Sequence, residues 1–386
     1  MRNVSLVLAA LAVVVIGCGG SGGTGASLTA DKKTGGHSGS TTGSTTTSTT
    51  TGTTTSTTTG STTSTTTGST TSTSTGSTTS STTSSTTGST TSGGSTGVPD
   101  LGAGADLHGK QIFPSTDPWN TAIDTAPVDP NSANLIASIG TGVGLHPDFG
   151  ANWNGGPFGI PYMVVPGTQA LVPMTFYYGD ESDPGPYPFP GNAPVEGGSA
   201  STGDRHVIVI DRDHWKLYET FDSHYNGTGW DCGSGALFDL TNGTSRPAGW
   251  TSADAAGMPI FPGLARYDEV TSGAINHALR LTVVHSRKAY VAPARHWAST
   301  LTGTNYPPMG MRVRLKASFD IMGFPPQAQV VLRALKKYGM FVADNGSNWY
   351  ISGAPDARWD DNQLNTLKTV TGSNFEVVQM GPITSG

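Results

Sequence analysis

The chain contains five glutamates, Glu181, Glu196, Glu219, Glu269 and Glu376. Hydrolysis of a glycosidic bond needs two carboxyls about 5–10 Å apart, one of them protonated. Glu219 falls in a β-rich run, and a hairpin between residues 206–210 and 216–221 places it near His206. Glu269 follows Tyr267-Asp268, ahead of the strand that carries His277. With Asp254 and Asp222 these two form the carboxylate pool for such a reaction, and His206 is the candidate base. Glu181 and Glu196 lie in Pro/Gly-rich loops, and Glu376 lies in the last strand. The competing reading of each carboxyl is a surface or capping role.

Three histidines neighbour arginines: Arg205-His206, His277 with Arg280, and Arg295-His296. A polysaccharide lyase uses such a set, a cation to neutralise the substrate carboxylate and a base to take the α-proton. Alternation also puts His277 with Ile275, Leu279 and Leu281, and His206 with Ile208 and Ile210, which suits hydrogen-bonded core histidines. Arg312, Arg314 and Lys316 share one face of an alternating run and recur every ~6.6 Å at strand rise. That spacing matches anionic groups along a uronic-acid polymer or a cell-wall glycan, and a solvated outer face is the plain alternative. Residues 246–257 form a constrained loop, stiff at Pro247 and permissive at Gly249, that presents Arg246, Trp250 and Asp254. Arg205 joins Arg246, Trp250 and the basic strand as a candidate substrate contact. Trp119, Trp153, Trp297, Trp349 and Trp359 are further candidate sugar platforms, although most tryptophans are core residues. Cys232 is a candidate thiol nucleophile, and a lone cysteine is more often inert.

No motif calls for a cofactor. Residues 100–386 contain no H-E-x-x-H and no C-x-x-C. The G-x-S-x-G matches at Ser21 and Ser95 lie in low-complexity sequence, and Gln111 replaces the hydroxyl of a P-loop after the spacing at 104–110. Asp204, His206 and Asp211 have metal-ligand chemistry in one stretch but no diagnostic spacing, so no metal is assigned.

These residues require a β framework. Short β-rich runs at 162–165, 174–178, 206–210, 216–221, 275–282 and 311–321 are separated by Pro/Gly loops. Pro325-Pro326 opens a helix over 327–338, stopped by Gly339. Residues 340–343 and 349–351 flank Asp344-Asn345-Gly346-Ser347 and read as a hairpin. A second helix spans 361–370 and a last strand 375–378. The expected fold is mainly β, a β-sandwich or jelly-roll-like core with two packed C-terminal helices.

The 386 residues carry a net charge of −6 with 12% charged side chains. Residues 34–99 contain no Asp, Glu, Lys or Arg, and every aromatic residue follows them. Residues 98–386 hold 18 Lys and Arg against 26 Asp and Glu, a net charge of −8, which disfavours a nucleic-acid partner. Residues 18–99 are rich in Ser, Thr and Gly, with almost no apolar side chain to offset ordering, so a disordered tether is expected. The division is therefore signal peptide 1–17, tether 18–99 and ectodomain 100–386.

Arg2, the apolar run 4–16 and Val15-Ile16-Gly17-Cys18 resemble the signal and lipobox of bacterial lipoproteins. The resemblance implies cleavage before Cys18, lipidation of Cys18 and an extracytoplasmic protein anchored to the cell membrane or outer membrane. Asp117-Pro118-Trp119-Asn120, Gly203-Asp204-Arg205-His206, residues 246–257, His277-Ala278-Leu279-Arg280, Pro307-Pro308-Met309-Gly310 and Ala343-Asp344-Asn345-Gly346 resemble an uncharacterised group of secreted or lipid-anchored bacterial β-rich proteins. That likeness implies a shared fold and an extracytoplasmic role, and carries no activity. The function expected is a surface lipoprotein whose ectodomain binds, and in the stronger form cleaves, an extracellular polysaccharide. The alternative is a non-enzymatic structural or adhesive surface protein that self-assembles.

Overall fold

The structure is a computed structural model that describes residues 97–243 and 246–386. Cys18, the signal run and residues 18–96 of the tether lie outside the described residues. Eleven strands position the site: β1 (Gly102–Ala103), β2 (His146–Asp148), β3 (Tyr162–Val165), β4 (Val207–Asp211), β5 (Lys216–Phe221), β6 (Ser234–Asp239), β7 (Leu279–Val283), β8 (Arg312–Leu315), β9 (Met340–Asn345), β10 (Tyr350–Ser352) and β11 (Phe375–Val377). Four α-helices accompany them, α1 (Ser132–Ile139), α2 (Tyr267–Ser272), α3 (Pro326–Lys337) and α4 (Asp361–Asn365). The chain is mainly β, as its sequence pattern requires.

One sheet has the order β1-β3-β4-β5-β6 and the other β11-β8-β9-β7-β10-β2. Both are mixed, with parallel pairs β3–β4, β9–β7 and β10–β2. Every residue of β4 is buried, and its two faces serve different cores. Ile208 and Ile210 join the main core, while Val207 and Val209 pack with Tyr187, Phe189 and Trp230 in a smaller one. A strand buried on both faces reads as a continuous apolar run, which is what Val207-Ile208-Val209-Ile210 is.

The β4–β5 hairpin forms where the pattern placed it. Asp211 closes its turn by accepting from the backbone N–H of Asp213 and His214. Helix α3 also matches its expected span within a residue or two. Pro326 sits in its first turn, where a missing N–H costs nothing, and Lys336 and Lys337 lie at its negative end. Its face of Val331 and Leu335 is wholly buried.

Several elements differ from expectation: the strand expected at 275–282 begins at Leu279, and the helix expected at 361–370 is α-helical only to Asn365. The 340–343 and 349–351 runs are both strands, but they do not pair with each other. β7 inserts between them, parallel to β9 and antiparallel to β10. The alternation from Met311 extends past the strand, since β8 ends at Leu315 and the chain turns where Phe319 N bonds Lys316 O. Helix α1 has no counterpart in the sequence reading.

The two sheets are joined through residues 252–265. Ser252 O accepts from Ser234 Oγ of β6, and Ile260 N and Phe261 N donate to Glu219 of β5. On the other side Ala256 N donates to Ala343 O of β9, and Ala265 N to Ser352 O of β10. This segment carries buried polar groups between the sheets, and one of them is Asp254.

Candidate functional site

β7 alternates. Leu279, Leu281 and Val283 are buried in the main core, and Arg280 points to the opposite face. Antiparallel pairing of Leu281 with Ile351 brings Arg280 opposite Ser352, and Ser352 is in register with Asp148 of β2. Arg280 Nη1 donates to Ser352 Oγ at 2.7 Å. On the β9 side, Leu281 opposes Val342 but Thr282 opposes Asp344, so Ala343 is an extra residue. A one-residue slip reverses side-chain parity, and the bulge returns Asp344 to the Arg280 face. Arg280 Nη2 donates to Asp344 Oδ2 at 3.0 Å.

Asp254 completes the arginine's shell. Its two oxygens accept from Nε and Nη2, each at 2.9 Å, in a bidentate pair. The turn that holds it is tight. Ser252 Oγ accepts Asp254 N, Gly257 N donates to Asp254 O, and Gly257 adopts φ +67° where a Cβ would strike the Trp250 carbonyl.

The first sheet contributes a second pair. His206 Nδ1 meets Glu196 Oε2 at 2.6 Å and Nε2 meets Ala253 O at 3.0 Å. Both partners are acceptors, so the ring donates from both nitrogens and is an imidazolium. Burial pulls its pKa down, but the charge and hydrogen bond of Glu196 outweigh this and raise it to about 9. Burial in turn pushes Glu196 up, and His206 and Arg280 together bring it below its ordinary value. Asp344 goes the other way. Burial and the charge of Asp254 raise it to about 7 against the pull of Arg280. Asp148 is exposed as a residue, yet desolvation of its carboxyl and the Glu196 charge raise it too. Asp204 acts electrostatically on both His206 and Asp344.

The result is a cluster of five carboxyls, Asp148, Glu196, Asp204, Asp254 and Asp344, around two cations, Arg280 and His206. Asp254 is sealed at 0% side-chain exposure, whereas Glu196 and Asp344 retain 25% and 21%. An ionised carboxylate and a carboxyl poised to hold a proton thus reach the surface beside one buried arginine. Next to them His296 and Trp297 stack at 5.9 Å and Trp297 and Tyr290 at 5.8 Å, both nearly parallel. His296 Nδ1 bonds Ala255 O and Asn345 Nδ2 bonds Ala298 O, which tie this segment to the residues that follow Asp254 and Asp344.

Of the expected catalytic residues, His206 and Asp254 belong to this cluster. Glu219 adjoins it but is 0% exposed, with both oxygens accepting from Ile260 N and Phe261 N at 2.8 Å. It caps the turn 261–263 and does not reach solvent. Glu269 lies apart, on α2, in an ion-paired set with Arg266 and His277. Asp222 is exposed and bonds His224.

The expected substrate contacts serve mainly as clamps. Arg205, at φ +52°, binds the carbonyls of Ser199, Ser201 and Ser223 and so fixes the loop between Glu196 and His206. Arg246 ties residues 246–257 to Asp183, the Glu181 carbonyl and the Thr251 carbonyl, with Trp250 5.5 Å from its guanidinium. Trp250 is partly exposed. The basic strand is not an open face. Arg312 binds the Tyr338 and Thr121 carbonyls over the Phe341 ring, Arg314 is buried against Glu376 and the Ile123 carbonyl, and Lys316 binds Ser373 O. β8 is an interior strand between β9 and β11, which is why neighbouring carbonyls cover these cations. Cys232 is buried, and burial raises its thiol to about 11, away from the thiolate a nucleophile needs. Among the described residues no group of three or more His, Cys, Asp or Glu side chains is arranged to hold a metal.

Arg280, Asp344 and Glu196 do not stand out by residue type. In the sequence Arg280 is visible only as a neighbour of His277, Glu196 as a loop residue and Asp344 as a turn residue. The available signal is that four of the six short stretches singled out in the sequence, those holding His206, Asp254, Arg280 and Asp344, converge here. No protein-family model, curated protein or solved structure matches the chain.

Proposed function

We propose that the chain is a surface-anchored lipoprotein whose ectodomain binds and cleaves an extracellular polysaccharide by general acid–base catalysis. The observation that supports this reading is that two partly exposed carboxyls, Asp344 on Arg280 and Glu196 on His206, belong to one cluster, where burial raises the Asp344 carboxyl and His206 and Arg280 lower that of Glu196. Paired carboxyls pushed apart in acidity are the machinery of glycosidic hydrolysis. Asp344 donates its proton to the glycosidic oxygen as the bond breaks. Glu196 acts on the anomeric carbon, directly or through a water it deprotonates. Arg280 holds Asp344 in place, and the His206 imidazolium keeps Glu196 ionised. The stack of His296 and Trp297 supplies ring faces for sugar. Lipidation at Cys18 and export rest on the lipobox likeness alone.

The test is a screen of the full chain against plant, fungal and bacterial polysaccharides, reading reducing ends. Release of reducing ends from at least one polymer, reduced at least a hundredfold in Glu196→Gln, supports the reading. Binding without release supports the adhesive alternative, and neither binding nor release removes the polysaccharide altogether.

A further inference from the structure

The exposed edge of this cluster bears on which polysaccharide a hydrolase at this site would take, and the inference rests on the hydrolase reading. Arginine has five N–H donors. Four of those of Arg280 are committed, two to Asp254, one to Asp344 and one to Ser352. Both ring nitrogens of His206 are committed to Glu196 and the Ala253 carbonyl. Arg205 and Arg246 spend their guanidinium groups on backbone carbonyls and Asp183. Arg280, His206, Arg205 and Arg246 are thus buried and occupied, and Arg295, partly exposed beside His296, gives its Nε to the Arg246 carbonyl. Of the groups left partly open to solvent, Asp148, Glu196 and Asp204 are acceptors, and Asp344 carries the proton of the hydrolase reading. Among the described residues, Asp344 Oδ1 accepts from the adjacent Asn345 N. On the adjoining segment His296 and Trp297 are partly exposed, with Tyr290 and Gly386 packed against the Trp297 ring.

From this arrangement we infer that the site selects by charge: it takes a glycan whose sugars offer hydroxyl or ammonium donors, and it rejects a polyuronate. Sugar hydroxyls or an amino group donate to Asp148, Glu196 and Asp204 while a ring face lies on the aromatic stack. A uronate carboxylate placed against Asp148, Glu196 and Asp204 meets like charge with one N–H of Arg280 to receive it. This reverses the expectation drawn from Arg312, Arg314 and Lys316, which are turned to carbonyls and Glu376.

The test is competition on the full chain at low ionic strength. A neutral oligosaccharide, a chitosan oligosaccharide and an oligogalacturonate of equal length are titrated into the wild-type protein and into Asp204→Asn, with binding read by calorimetry. The neutral or the amino-bearing ligand is expected to bind at least tenfold tighter than the oligogalacturonate. Asp204→Asn is expected to narrow that gap by at least threefold, and circular dichroism checks that the variant is folded. If Asp204→Asn fails to fold, the salt dependence of the wild-type gap replaces it, and the gap must shrink as salt rises. Equal or tighter binding of the oligogalacturonate overturns the charge rule and leaves the hydrolase reading standing. No binding by any of the three, together with no release of reducing ends in the polysaccharide screen, overturns both.

Discussion

Glu219 and Asp344 are both raised to about 7, burial being the first cause in each, and they illustrate how the same shift serves two purposes. Glu219 is sealed and accepts two backbone N–H bonds, so its role is to satisfy the turn after Gly257. Glu219→Gln supplies one acceptor oxygen in place of two and leaves a buried N–H facing an amide. The expected cost is about 1–3 kcal/mol in denaturant unfolding at pH 7, with cleavage retained below the unfolding transition. Because the folded pKa of Glu219 lies above its unfolded value, it stabilises fully below about pH 4.5, and that contribution is lost as pH rises through about 7. The Gln variant therefore has a flatter stability profile between those limits. Loss of cleavage in a fully folded Glu219→Gln would place Glu219 in the chemistry.

At the scale of elements, the site is made by one insertion and one bulge. β7 enters between β9 and β10, and the extra Ala343 turns Asp344 toward Arg280. Residues 246–257 are held from outside by Asp183, which bonds both Arg246 and the Leu237 N–H at the edge of β6. Asp183→Ala releases both partners, and chymotrypsin cleavage after Trp250 is expected to quicken at least tenfold while the near-ultraviolet spectrum of the core is unchanged. An unchanged cleavage rate means that Arg246 needs no such anchor. Local elements were legible in the sequence. The β4–β5 hairpin follows from adjacent apolar runs, and α3 follows from its Pro-Pro start and Gly339 stop. The β9–β10 relation was not legible, because Asp344-Asn345-Gly346 is ideal turn chemistry and nothing local shows that a strand some sixty residues upstream fills the gap. The cluster also joins Asp344 and Glu196, which read in the sequence only as turn and loop residues, to His206 and Asp254, which stand out there from their own surroundings. Arg312 and Arg314 misled for the complementary reason, since alternation gives a side chain's face but not what covers it.

For the molecule as a whole, the charge-poor composition resolves into a part without charged residues and a part that gathers its carboxyls. Residues 34–99 have no charged side chain, and residues 100–386 gather five acids from distant segments around Arg280 and His206. The lipobox likeness predicts that Cys18→Ala releases the full chain from the membrane fraction, and continued membrane association in that variant contradicts the anchor. A catalytic proton on Asp344 makes cleavage fall as pH rises through about 7. The most direct test uses two substrates of the sugar found in the screen, the natural linkage and an aryl glycoside whose leaving group needs no proton. Asp344→Asn should lose at least a hundredfold on the natural linkage, keep most of its rate on the aryl glycoside and lose the fall above pH 7, while Glu196→Gln should lose both activities. Equal loss on both substrates in Asp344→Asn, or full activity in Glu196→Gln, contradicts the division of labour between these two carboxyls.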